Sequence, residues 1–410
     1  MMTSPRSKWV LARRIGCACA IALGLLGVAV SHARPPSILP VSTDLASSNE
    51  LMVSYRHQER MWQTADQAFH LVVNRGGLQP PGLVLYSSYD GGVTWAPTQV
   101  LSPTNKDSTA DGFLQGTLLS IAYANTDGSI FFAQFSYDSG ARTWTLVRNE
   151  SVYSSTQFRG VNPAVAMDDT GAIWCSFSAF DRTTNDVNIR LTYRAGDNLP
   201  WADTGLIFGP TDHLSKERSA RPIRIPGGMG MIYRVNQSTL WTARANGAPY
   251  DSAWPAALNI NEGTPQRKVS DPYASHFSVI ADDLDYLHLA VADDGNALYL
   301  RYTSSTGIWT AAEKLNGRIK ISYLQLGLSN GQVALAFSAS RGQGDVLVSN
   351  DHGSTFVQQA TLELPAAAPG TSYATGRIET AGKSVGTLTV MQQYEDQNLQ
   401  RLMVFKVPPP

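Results

Sequence analysis

Cysteine is scarce. There are three in 410 residues, and two of them, Cys17 and Cys19, lie in an apolar segment near the start. No heptad run is present, which excludes a coiled coil, and helical periodicity of any kind is hard to find. Only 16% of residues are charged, and 32 basic residues face 33 acidic ones. That balance argues against a nucleic-acid partner. The chain has no phosphate loop, no dinucleotide fingerprint and no nucleophile elbow. It also has no metal-ligand spacing among its histidines, so neither a cofactor nor a metal is expected. What it does have is a large apolar share, 43%, which excludes intrinsic disorder.

Its one long hydrophobic run lies at the beginning. Arg6, Lys8, Arg13 and Arg14 precede an apolar stretch from Ile15 to Val30, which ends in Ser31-His32-Ala33. A basic start, a short apolar core and small residues at the cleavage positions predict a secretory signal peptide over residues 1–33. The mature chain, 34–410, is then expected to be secreted or periplasmic, with no membrane partner after cleavage. Removing four basic residues from 32 leaves 28 against 33 acidic ones, a net charge of −5. A single cysteine, Cys175, then remains. It cannot form a disulfide within the chain, and its apolar neighbours predict inert core.

The remainder reads as strand after strand, punctuated by Gly, Asp, Asn and Ser turns. A strand–acidic turn–strand unit recurs, once over Val165–Phe177 and again over Val279–Val291. Units begin near residues 49, 109, 155, 214, 270, 318 and 370. Their length suits four-stranded blades, so the expected fold is all-β: a single β-propeller, seven-bladed by preference and six-bladed if one unit is irregular. Ser37–Leu45 is the expected closing strand.

Three units carry a sharper turn: Ser88-Tyr-Asp90-Gly-Gly92-Val-Thr94-Trp95, Ser136-Tyr-Asp138-Ser-Gly140-Ala-Arg-Thr143-Trp144 and Ser349-Asn-Asp351-His-Gly353-Ser-Thr355-Phe356. Aspartate there can accept bonds from the turn's own amides, and glycine supplies the backbone conformation. These segments resemble the Asp-box of the sialidase-like (BNR repeat) propeller superfamily. In that superfamily the box is structural and lies away from the active site, so Asp90, Asp138 and Asp351 are not catalytic candidates.

The resemblance implies a carbohydrate-active protein, most simply an exo-acting glycoside hydrolase on an acidic glycan. Tyr373 is then the nucleophile and Glu217 its partner, because a phenol becomes a nucleophile only when a neighbouring carboxylate takes its proton. Asp66 is the acid candidate, and Arg234 and Arg341 would grip the substrate carboxylate. An extra unit from 270 to 315 separates Glu217 from Tyr373, which makes seven units where sialidases have six. That leaves open a polysaccharide lyase acting on a uronic-acid polymer. A lyase needs a base for the C5 proton and cations beside the uronate. His276, Tyr273, Tyr323, Arg159 and Arg221 are its candidates, at or near the starts of innermost strands. A non-catalytic propeller that binds glycan or protein is the third reading. All three expect a monomer whose partner is a carbohydrate, the last admitting a protein instead.

Overall fold

The computed structural model describes residues 35–409 apart from 54, 56, 103–108, 213–217, 236–237, 261–275, 294, 318–319, 340–342, 365–370 and 373–375. The described strands form seven sheets in chain order. The first blade has Met61–Gln63, Phe69–Asn74, Leu83–Ser88 and Ala96–Ser102, from the inside outward. The inner strands of the next five blades are Ala110–Gln115, Phe158–Met167, Ser219–Ile225, Phe277–Ala281 and Ile321–Ser329. In the seventh, Thr371–Ser372 and Ile378–Thr380 both pair with Leu388–Asp396, which pairs in turn with Leu399–Val407. Within the blades, neighbouring strands run antiparallel, as short polar hairpin turns dictate.

Each blade is apolar on both faces, so it must be covered twice. Seven buried clusters do this, and each joins two consecutive sheets. Trp62 and Leu85 of the first blade pack with Ile121 and Trp144 of the second. Met61 and Trp95 of the first pack with Met391 and Val404 of the seventh. That last seam closes the ring. Cys175 is buried in the seam between the second and third blades, and burial pushes its thiol well above the ordinary range. It is core, as its neighbours suggested.

The closing strand lies a little further along than expected. Ala46–Ser47 is the outermost antiparallel strand on Leu399–Val407, and Val41, Ser42 and Leu45 of the expected segment Ser37–Leu45 also bond to that last strand. Ser37–Ile38 lies instead in parallel against Val357–Leu362 of the sixth blade. The N-terminal segment thus ties together the outer edges of two blades. The first inner strand also starts later than the repeat suggested, at Met61 rather than near residue 49, because the residues before it serve another purpose described below.

The Ser-x-Asp-x-Gly-x-Thr turns join the third and fourth strands of their blades. Asp90 accepts from the Thr94 amide at 2.9 Å and its hydroxyl at 2.6 Å, and Ser88 Oγ accepts from the Gly92 amide at 2.7 Å. Asp351 repeats this with Thr355 at 2.8 and 2.7 Å, and those bonds hold its carboxyl at about 2. These aspartates are occupied by their own turns.

Gly353 has φ +75°, and a methyl group there would lie 1.7 Å from the Tyr299 hydroxyl of the neighbouring blade. Gly247 has φ +82° with open space around it. Gly247→Ala is therefore expected to cost only the backbone strain, about 1 kcal/mol, whereas Gly353→Ala adds an overpacking cost of about 1–3 kcal/mol. Urea midpoints of the two variants measure the difference, and equal midpoints would contradict this account of the turn.

Candidate functional site

The inner strands converge on a lumen, and the segment His57–Arg60 crosses it. Gln58 Nε2 donates to the Pro163 carbonyl of the third blade at 2.8 Å, and Gln325 Nε2 of the sixth donates to the Gln58 carbonyl at 3.3 Å. Arg221 of the fourth blade donates to the His57 carbonyl at 2.5 Å. The His57 ring stacks on Phe277 of the fifth, with centroids 5.5 Å apart. The Glu59 amide donates to Asp111 Oδ1 of the second blade at 2.5 Å, and Arg60 Nε donates to the Ala110 carbonyl at 3.0 Å. The Arg60 amide donates to Glu379 Oε1 of the seventh at 3.3 Å. Four residues leading into the first blade therefore touch all six others.

This plug holds a charge cluster. Arg221 Nη1 donates to Asp111 Oδ1 at 2.6 Å, and its Nη2 lies 3.4 Å from Glu59 Oε2. The Val165 amide donates to the other Asp111 oxygen at 2.7 Å. Removal from water disfavours every charged form here. Burial lifts Glu379 to about 8, with Arg60 opposing, and lifts Glu59 to about 7, with Arg221 opposing and Asp111 reinforcing. Burial also raises Asp111 and draws Arg60 down to about 10. Near neutral pH the cluster therefore holds protons on carboxyls that would be ionised in water.

The plug divides the lumen into two ends. One is bordered by the starts of the inner strands, the other by the turns that follow those strands. At the first end His276, immediately before Phe277–Ala281, lies beside Tyr323, with ring centroids 6.2 Å apart. The Arg377 guanidinium sits 5.1 Å from the centre of the Tyr323 ring. All three side chains are half-buried at the mouth. They come from the fifth, sixth and seventh blades, so only ring geometry brings them together.

The other candidates fall elsewhere. Asp66 lies at the opposite end, in the turn after Met61–Gln63, where it accepts from the Thr64 hydroxyl at 2.5 Å and the Tyr137 hydroxyl at 2.9 Å. Burial works to raise its carboxyl, but those bonds prevail and hold it below its ordinary value. It is an ionised structural acceptor, remote from the mouth, and not an acid for that site. Arg234 is wholly buried in the second strand of the fourth blade and is not grouped with His276, Tyr323 and Arg377. Arg221 is committed to His57, Glu59 and Asp111 inside the plug, so it does not serve as a carboxylate clamp. Arg159 is exposed and covers the Gly128 turn of the second blade. Tyr373, Glu217, Arg341 and Tyr273 lie outside the described residues. Glu59, Arg60, Asp111, Arg377 and Glu379 were not anticipated. Their one sequence signal is charge at or just before an innermost strand, in a chain with few charges.

No family model matches the chain, and no curated protein matches it. Solved structures do. A polysaccharide lyase of family PL25, an ulvan lyase, is similar at 12% identity and a TM-score of 0.47, covering 72% of this chain and 79% of that one. A second polysaccharide lyase is similar at 11% identity and a TM-score of 0.47, covering 85% and 90%. A fucose-specific lectin from Aleuria aurantia is similar at 13% identity and a TM-score of 0.46, covering 75% and 96%. At such values the likeness carries no argument about chemistry, and the propeller rests on the sheets and seams described above. The sialidase-like resemblance stands on its three turns alone.

The raised carboxyls fix the sign of a pH effect. A carboxyl whose folded value exceeds its unfolded one contributes stability fully present below the unfolded value of about 4.5 and lost as pH rises through the folded value, here about 8 for Glu379. Glu379→Gln keeps the acceptor oxygen and cannot ionise. It is expected to match the wild type in melting temperature near pH 5 and to exceed it at pH 9. Calorimetric scans across that range test this, and a variant that falls below the wild type at pH 9 would refute it.

Proposed function

We propose that the protein is a secreted or periplasmic carbohydrate-active propeller that cleaves a uronic-acid polysaccharide by elimination at the mouth bordered by the inner-strand starts. The observation that supports this best is the grouping of His276, Tyr323 and Arg377 from three blades. It offers a base, a proton donor and a cation, the set an elimination uses. The hydrolase alternative is less well supported, because Asp66, its acid, is at the wrong end.

In this reading Arg377 pairs with the uronate carboxylate. Withdrawing its negative charge stabilises the enolate-like state that forms when C5 loses its proton. Neutral His276 takes that proton. The C5 electron pair forms the C4–C5 double bond, the C4–O4 bond breaks, and the departing oxygen takes a proton from the Tyr323 hydroxyl. Proton return from the imidazolium to the phenolate restores both groups. Arg377 lies over the phenol ring, where a cation eases the developing phenolate.

The product absorbs in the ultraviolet, so the test is direct. The purified protein is incubated with alginate, polygalacturonate and other uronate polymers. Absorbance is expected to rise with at least one of them, and His276→Ala is expected to lower kcat by about 100-fold or more. Arg377→Ala is expected to raise KM together with a loss in kcat. Reducing ends released without absorbance would point to hydrolysis. No change with any polymer, or full activity in His276→Ala, would end the elimination reading.

A further inference from the structure

Below the plug, at the end bordered by the turns, the lumen opens into a cavity of about 340 Å³. Its floor is Glu59 and Arg221, and its walls are the last residues of inner strands from the second to the sixth blades, with Gly382 and Lys383 of the seventh. The elimination site does not use this cavity, which lies on the other side of the plug.

Glu59 is distinctive. A fifth of its side chain is open to the cavity, and among the described residues its carboxyl accepts a single long bond, 3.4 Å from Arg221 Nη2. Gly382 lets the carboxyl lie there, since a methyl group at that position would come within 2.4 Å of it. Arg221 cannot neutralise Glu59 fully, because its shorter bonds go to His57 and Asp111. The basic groups at the rim are already spent: Lys383 is paired with Asp283 and Arg224 with Asp169. The floor thus asks for a cationic donor.

The walls offer backbone edges set among apolar side chains such as Phe113, Val165, Ile223 and Val279. The inner strands of the second, third, fourth and fifth blades are the terminal strands of their sheets, so their outer backbone edges face the lumen. Such an edge presents a row of N–H and C=O groups. Small polyhydroxylated molecules satisfy both kinds of group at once.

We propose that this cavity is a second ligand site, for a small hydroxylated amine such as an aminopolyol or amino sugar, whose ammonium donates to Glu59 while its hydroxyls pair with the strand edges. The site is independent of the mouth and of whatever reaction occurs there.

The test is calorimetric titration of the full protein near pH 7.5, with N-methylglucamine as the probe and sorbitol as its counterpart lacking the nitrogen. Saturable binding of the amine and not of sorbitol is expected. Glu59→Gln is expected to weaken it by at least about tenfold, the worth of a hydrogen bond to a charged group. Ala281→Trp serves as a second variant. Ala281 is exposed at the end of its strand and lines the cavity, so an indole there fills the space without touching the plug. It too is expected to abolish binding, whereas His276→Ala is expected to retain it. Equal binding of sorbitol, undiminished binding in both cavity variants, loss of binding in His276→Ala, or no heat with the amine would each overturn the proposal.

Discussion

The contact on which this ring depends is the crossing of its lumen by His57–Arg60. A propeller blade is held to its neighbours by apolar seams, and such seams are tolerant: they fix that blades pack, not how far they slide. Hydrogen bonds are less forgiving. Gln58, Glu59 and Arg60 bond to inner-strand residues of the second, third, sixth and seventh blades, and Arg221 reaches in from the fourth. Each bond has a narrow range of length and angle. Together they set the radial position of the inner strands, and with it the geometry of both ends of the lumen.

That crossing carries an electrostatic cost, and the raised carboxyls are its sign. Charges taken out of water are tolerated only when paired and fully bonded. Asp111 meets this with bonds from Glu59, Val165 and Arg221. Glu379 meets it in part and retains its proton to about 8, while Glu59, at the cavity wall, retains one to about 7. Bonding and depth both act: Asp111 is well supplied with donors yet burial still raises it, whereas the turn acid Asp351, bonded and near the surface, sits at about 2. Two populations of acid thus occupy one molecule. The turn acids Asp90 and Asp351 are held low by their own turns, and Glu59 and Glu379 in the lumen are poised near neutrality.

Much of the fold was legible because a blade is a local object. The starts anticipated near 109, 155, 214, 270 and 318 fall close to the inner strands that begin at Ala110, Phe158, Ser219, Phe277 and Ile321. Strand alternation and turn chemistry act over a few residues and leave a readable trace. The site was less legible because it is assembled across blades. His276 and Tyr323 could be nominated singly as residues near strand starts, but their meeting with Arg377 depends on the curvature of the ring. The plug was harder still. It interrupts the repeat, so the first unit, begun near residue 49 by pattern, starts its strand only at Met61. Charges such as Glu59 and Arg60 ahead of an apolar strand read as surface until the lumen is in view.

Asp66 shows why sequence position misleads about role. It sits in the turn after the first inner strand, as Asp168 and Asp282 do in the third and fifth blades. Asp282 lies 3.2 Å from His288 Nε2 of its own blade and bonds to His352 Nδ1 of the next at 2.9 Å. Asp66 likewise accepts from Tyr137 of the next blade, and Asp169 binds Arg224 of the next. An acid in this turn therefore reaches across the seam to a donor one blade on. The repeat uses these carboxylates as clips between blades at the turn end, which consumes the acids there and leaves the strand-start end to be furnished with basic and aromatic groups.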